Sequence, residues 1–319
     1  MSKLIQTIDS ATIQSTGIFL VGELERMDQR LNTPLVSYKY TRDLPFRSDI
    51  SIEDEVSSFI NTDFSSVGGA NPAGKNWMGK KGTAIADINV VNTPTRNELS
   101  IWAHQLSYTI FELKAAQKAG RPIDEQKYEG LKLKWNMDAD EQAYIGDTEI
   151  DVPGLLNLPS VTPVAAPAPW TPTTDPDVIV QDINLVLSDA WVRSGYAICP
   201  SKIGMAPELF SLCVSKKVSS AGNISLLEYI KINCIAYQEN GEPLNIVSMK
   251  WASNRGAGGS HRLIAYTQDE QYVRFPVVPL LNTPVEFRGL QQSVVYYGKL
   301  GQVETPYSNT ISYLDIPVA

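Results

Sequence analysis

Cysteine is scarce in this chain, with three in 319 residues. Cys199, Cys213 and Cys234 show no C-x-x-C spacing, and their odd number argues against a disulfide framework. They read as reduced, buried thiols of the kind a cytosolic protein carries. Histidine is scarcer still, with only His104 and His261. No apolar run approaches the roughly 18 residues that suggest a membrane-spanning helix. The opening Met1-Ser2-Lys3-Leu4-Ile5-Gln6 lacks the basic region and apolar run of a signal peptide, so the chain is expected to fold in a cytoplasm. The start at Met1 suggests that no N-terminal propeptide is removed. An excess of positive charge is also missing: Lys and Arg number 27 against 35 Asp and Glu, a formal net charge of −8. A protein that grips DNA through its phosphates shows a basic stripe, and none is found here. Nucleic acid near this protein is expected to be contained or ignored. What remains is a globular composition, 43% hydrophobic and 19% charged, long enough for one large or two ordinary domains.

Along the chain, Met1 to Pro34 reads as an arm with one short amphipathic segment from Phe19 to Met27 and little else to bury. Leu35 to Arg47 alternates loosely (Val36, Tyr38, Tyr40) and predicts a strand. Ser58 to Val90 reads as a long two-stranded excursion. Its tip runs from Gly68 to Gly82 and carries Lys75, Trp77, Met78, Lys80 and Lys81; the return strand is Ala84 to Val90. A two-stranded ribbon standing alone is at best marginally stable in water, so this one needs a neighbouring surface. Thr95 and Glu98 form a capping box, and Leu99, Trp102, Leu106, Ile110 and Leu113 recur at helical steps. They predict a long helix closed at Gly120, with Pro122 just beyond. A second helix is expected from Asp124 to Tyr144.

Prolines at 153, 159, 163, 167, 169, 172 and 176 form a stiff, extended connector and the best candidate boundary between packing units. Beyond it, helices are expected from Val178 to Ser194, from Pro207 to Val214, and from a capping box at Ser225-Leu226-Leu227-Glu228 to Ile232. A strand and turn are expected from Ile198 to Ala206. Further strands follow at Leu244–Trp251, Arg262–Tyr266, Tyr272–Val278, Val285–Phe287 and Ser293–Tyr297, with the second and third joined as a hairpin through Gln268–Gln271. No internal repeat is found.

Candidate chemistry is thin. His104 lies off the apolar stripe. His261 follows the glycine-rich turn Gly256-Ala257-Gly258-Gly259-Ser260, but a Ser-His-Asp triad also needs an oxyanion hole, and there is no G-x-S-x-G elbow. The same turn lacks the Lys-Ser/Thr of a phosphate loop. Asp138, Asp140, Glu141 and Asp147 lack the alternation and glycine of a calcium loop and read as a solvated helix face. No catalytic, cofactor or metal site is assigned, and the chain is read as a structural protein, not an enzyme.

The order of elements resembles the major capsid proteins of tailed bacteriophages with the Hong Kong 97 fold, which encapsulins share. The residues that carry this are Leu106 to Gln117, Gly120 to Asp124, Ile145-Gly146-Asp147, Gly154-Leu155-Leu156-Asn157, Gly258 to Tyr266 and Gly301 to Tyr307. The resemblance implies an α+β fold divided into an N-terminal arm (1–34), an extended E-loop hairpin (35–94), a peripheral domain with a spine helix (95–176), an axial domain (177–243) and a strand-rich remainder of both (244–319). It makes Leu99, Trp102, Leu106, Ile110 and Leu113 the packing face of the spine helix. It places Lys75, Trp77, Met78, Lys80 and Lys81 on a neighbouring subunit. The tip lysines either engage acidic groups of that neighbour or, as in some relatives, form an isopeptide cross-link to an Asn; no motif here shows the cross-link. The implied function is self-assembly of hexamers and pentamers into an icosahedral virion shell around double-stranded DNA, built in the host cytoplasm without a membrane or cofactor. A portal, and scaffolding or decoration proteins, are the further partners implied. An encapsulin-type compartment, and a soluble hydrolase using Ser260-His261 or the acidic helix, are the alternatives.

Overall fold

A computed structural model describes residues 34–67, 87–119, 123–219 and 223–318. Two compact units divide the chain, Met1–Ser37 and Tyr38–Ala319; the elements below belong to the second. It opens with a single helical turn, α1 (Tyr40–Asp43), and a two-residue strand, β1 (Phe46–Arg47). This corrects the strand expected over Leu35–Arg47. The cause is distant in sequence: Asp140 Oδ1 accepts the backbone N–H groups of Lys39 (2.7 Å) and Tyr40 (3.1 Å). That carboxylate caps the turn as an N-cap side chain would.

The expected excursion is present as β2 (Val56–Val67) and β3 (Asp87–Glu98), paired antiparallel through twelve residues each. At about 3.3 Å per residue the ribbon is roughly 40 Å long. The return strand extends past its expected end at Val90, because Thr95 pairs with Phe59 and Glu98 with Val56. The capping box is therefore part of a strand. β4 (Ser100–Thr109) follows directly and pairs along its whole length with a late strand, β13. The long helix expected from Thr95 to Gly120 is corrected accordingly: only α2 (Ile110–Ala119) is helical. The apolar positions 102, 106 and 110 satisfy a period of two as well as a step of four. A ten-residue ladder decides between them, and its partner lies almost two hundred residues away.

The longest helix among the described residues is α3 (Ile123–Tyr144), close to the second helix expected. Leu131, Trp135, Ala139 and Ala143 recur every four residues and are all buried. This stripe packs on a five-stranded sheet in which β11 (Phe275–Asn282) lies between β1 and β13 (Gln291–Leu300), with β12 (Glu286–Arg288) and β4 also paired to β13. Trp135 meets Trp102 edge-on at 5.1 Å, and Tyr128 meets Tyr296 at 5.4 Å. The approach is so close at Gly298 that a Cβ there would come within 2.8 Å of the Trp135 ring, so this position requires glycine.

After α3, a small hairpin of β5 (Gly146–Asp147) and β6 (Val152–Pro153) turns the chain back. Leu155 and Leu156 then bond to the last carbonyls of α3, at Ala143 and Tyr144, and both side chains are buried. The proline-rich stretch is anchored by Leu158, Val161, Ala166 and Trp170, which all enter the core, and it contributes β7 (Val164–Ala165). A second five-stranded sheet has the order β7, β14 (Ser312–Ile316), β10 (His261–Tyr266), β8 (Lys202–Met205), β9 (Asn245–Ser248). The helix α4 (Pro176–Arg193) buries Ile179, Ile183, Val186, Leu187 and Ala190. Three shorter helices complete the unit: α5 (Pro207–Ser215), α6 (Leu226–Ile232), capped by Ser225 as expected, and α7 (Ile235–Asn240). The hairpin expected through Gln268–Gln271 is not formed, since β10 and β11 lie in different sheets. The interior strand β14, between β7 and β10, is an element the sequence reading lacks.

Candidate assembly surfaces

The ribbon has two chemically distinct faces, because directly paired residues of an antiparallel ladder share a face. One face carries Val56, Ile60 and Phe64 from β2 with Ile88, Val90 and Pro94 from β3. Its large side chains are open to solvent: Ile60 is 63% exposed, Phe64 75%, Ile88 65% and Val90 54%. The opposite face turns its root toward the body of the subunit. There Ser57 is buried, Asn61 donates to Pro306 O, and Arg274 lies 6.0 Å from the Phe59 ring. The polar face is thus the one attached, and the apolar face is the one left bare. The same face also holds the hydrogen-bonded pair Thr62–Asn92 and, nearer the root, Arg96 and Glu98, so its apolar side chains form exposed patches of the kind that marks an interaction site.

Glu304 fixes the ribbon to the body. Its side chain is fully buried and receives Arg47 Nη1 at 3.1 Å, Arg274 Nε at 2.7 Å and the Ser57 hydroxyl. Lys299 Nζ adds a bond to Asp54 O at 2.7 Å. A buried carboxylate is tolerated only when paired and hydrogen-bonded, and here the partners come from β1, β2 and the residue just before β11. Two further buried carboxylates do similar work. Asp43 binds Arg42, Lys202 at 2.9 Å and the Tyr144 hydroxyl. Burial alone would raise the Asp43 pKa, but these three donors outweigh it and hold the group below the ordinary carboxylate range. Asp140 takes Trp251 Nε1 and Lys250 Nζ, each at 2.8 Å, beside its two backbone donors. Asp140 is fully buried, which corrects its reading as part of a solvated face; Glu141 and Asp147 are exposed as expected.

Arg262 and Asp315 form a two-pronged pair across β10 and β14, at 2.7 and 2.8 Å. Each is a lone charge in an otherwise apolar strand, a sequence signal that could have found the pair. Glu304, inside Val303-Glu304-Thr305, gives no comparable signal, because its partners are scattered over more than two hundred positions.

Of the residues singled out in the sequence, Lys75, Trp77, Met78, Lys80 and Lys81 lie outside the described residues. Leu99 is buried between β3 and β4, Trp102 and Leu106 sit half-buried on β4, and Ile110 and Leu113 lie on α2. They do not form one helical face. Trp102 still packs on α3, donating its indole N–H to Asp138 at 2.9 Å. His104 is exposed. The Ser260 hydroxyl donates to Ala257 O, His261 Nδ1 accepts from Asn254 N, and Asp315 is occupied by Arg262. These three side chains are not wired as a triad. Among the described residues no group of three His, Cys, Asp or Glu is placed to hold a metal. The cysteines are all free and buried, and burial pushes the Cys213 thiol up to about 12. No described helix is long and apolar enough to cross a membrane.

The profile of the family described as "Major capsid protein" matches residues 74–316. Solved structures of similar fold include the capsid of Myoviridae phage XM1, with a TM-score of 0.73 and 17% identity over 92% of this chain and 97% of that one. The capsid of a native GTA particle has a TM-score of 0.64 and 12% identity over 98% of this chain and all of that one. The Gordonia phage Cozz structure has a TM-score of 0.57 and 11% identity, with both chains fully covered. No curated protein matches the sequence. These similarities agree with the α+β architecture, and the family match covers about three quarters of the chain: this chain belongs to the major capsid protein family.

Proposed function

We propose that copies of this chain assemble as hexamers and pentamers into a closed icosahedral shell around double-stranded DNA, in the cytoplasm of the host. The observation that carries this is the set of exposed apolar side chains on one face of the ribbon, Ile60, Phe64 and Val90. It has too little cover to be stable in an isolated subunit and suits burial against another copy. The arm, the ribbon, the peripheral part with its long helix and the axial part act as separate units of contact in this reading. Lys75, Trp77, Met78, Lys80 and Lys81, at the ribbon's tip, rest on a neighbour through charge and ring contacts. The net charge of −8 suits a container that holds DNA without reading its sequence. A portal and scaffolding or decoration proteins complete the assembly. Electron microscopy of the purified protein should show closed shells of uniform size, and a solution of persistent monomers under all assembly conditions would refute the reading.

A further inference from the structure

Among the described residues strand β4 is an edge strand, paired on one side only, and its register shows which backbone groups it leaves open. Ile110 N donates to Leu290 O at 3.0 Å, one step beyond the pair Thr109–Gln291. In an antiparallel ladder, hydrogen-bonded pairs alternate with pairs whose N–H and C=O groups point away. Even-numbered residues of β4 therefore bond to β13, and odd-numbered ones face outward. Three odd-numbered residues agree: Leu99 N bonds to Glu55 O, Ser107 O accepts Lys127 Nζ, and Thr109 N bonds to the Glu112 carboxylate. Between Leu99 and Ser107 lie Ile101, Ala103 and Gln105. Among the described residues, no group bonds to their outward N–H and C=O, and all three side chains are exposed, Ile101 at 72%.

Proteins that must stay single protect such an edge with lysine, proline or a bulge. Here the protection stops at Lys127. From Ser100 to Tyr108 there is no Lys, Arg, Asp, Glu or Pro. We propose that this edge is a strand-addition site, and that its occupant is the segment around Thr12–Ile18 of a second copy of this chain. Main-chain bonds supply affinity in strand addition, and the side chains need only be compatible. The uncharged edge asks for an uncharged strand, and Ser10 to Gly22 contains no ionisable side chain while offering Thr12, Ile13, Thr16, Ile18 and Val21. The sequence from 68 to 86 fits less well, since it carries Lys75, Lys80, Lys81 and Pro72 among glycines.

This inference rests on the shell reading only in requiring that copies meet. Hydrogen exchange followed by mass spectrometry should find amides of the Ser100–Leu106 stretch slowed at least tenfold in shells relative to dissociated subunits. Equal exchange in the two states overturns the edge assignment; failure to form shells at all overturns the shell reading instead. Gln105→Cys combined in turn with Thr12→Cys, Gln14→Cys or Thr16→Cys should give chain-to-chain disulfide ladders after oxidation of shells. An intrachain disulfide, or ladders formed only with Trp77→Cys, would show that the occupant is wrongly named. Ala103→Pro removes one outward N–H and leaves the β13 ladder intact, so shell yield should fall at least tenfold with subunit circular dichroism unchanged. Gln105→Lys, which keeps the backbone, serves if the proline variant misfolds, and wild-type yield from it counts against the site.

Discussion

Single buried carboxylates tie together residues that no local pattern connects. Asp43 is the clearest, because its pKa is held below the ordinary carboxylate value of about 3.9. The sign follows from linkage: a lowered folded pKa gives stability that is complete above the unfolded pKa and is lost as pH falls through the folded one. Urea denaturation of the subunit should therefore show a loss of stability below about pH 4. Asp43→Asn should flatten that acid limb and cost about 3–5 kcal/mol at pH 7, because Lys202 is left buried without its counter-charge. An acid limb unchanged in the variant would show that other carboxylates carry it. The pairing of Asp43 with Lys202 and Tyr144 was not legible in the sequence. Asp140 sat among acidic neighbours and read as solvated, since nothing local shows that Trp251 and the Lys39–Tyr40 turn come to meet it.

At the scale of elements, the ribbon separates folding from assembly. Its bare face contributes almost nothing to the subunit's own core, so Ile60→Ser with Phe64→Ser should change subunit stability by no more than about 0.5 kcal/mol per site. The same pair should reduce shell formation sharply in light scattering and microscopy. Wild-type assembly from this variant would mean that the face is not an interface. Local pattern was enough for several elements. The presence of the ribbon, α3, α4 and the Ser225-capped α6 was legible within the segments themselves, although the return strand, expected to stop at Val90, runs on to Glu98. It was insufficient for β4, where apolar residues at even positions suit a strand and a helix alike, and only the β13 ladder chooses.

For the whole molecule, Glu304 sets how the ribbon leaves the body, and therefore where its bare face is presented to other copies. Glu304→Gln keeps the shape but removes the charge facing Arg47 and Arg274. It should destabilise the subunit by about 3–5 kcal/mol. It should also broaden the size distribution of particles seen by microscopy, as a ribbon with a loosened root meets its neighbours at varied angles. Uniform shells of wild-type size would show that other root contacts, such as Lys299 with Asp54, are sufficient alone.

Composition and local spacing by themselves determined that this is a globular chain with a ribbon too long to stand alone, and the order of its soft motifs carried the resemblance that implied an α+β capsid fold. Those features depend on residues within a turn or a strand of one another, where hydrophobic period, caps and turn chemistry act directly. Only the tertiary structure decided that Ser100–Thr109 is a strand, that Tyr40–Asp43 is a turn, that Glu304 and Asp140 are buried, and which face of the ribbon is bare. Each of those outcomes depends on a partner from thirty to more than two hundred residues away, and a ladder or a buried ion pair formed at that range outweighs the local preferences it opposes.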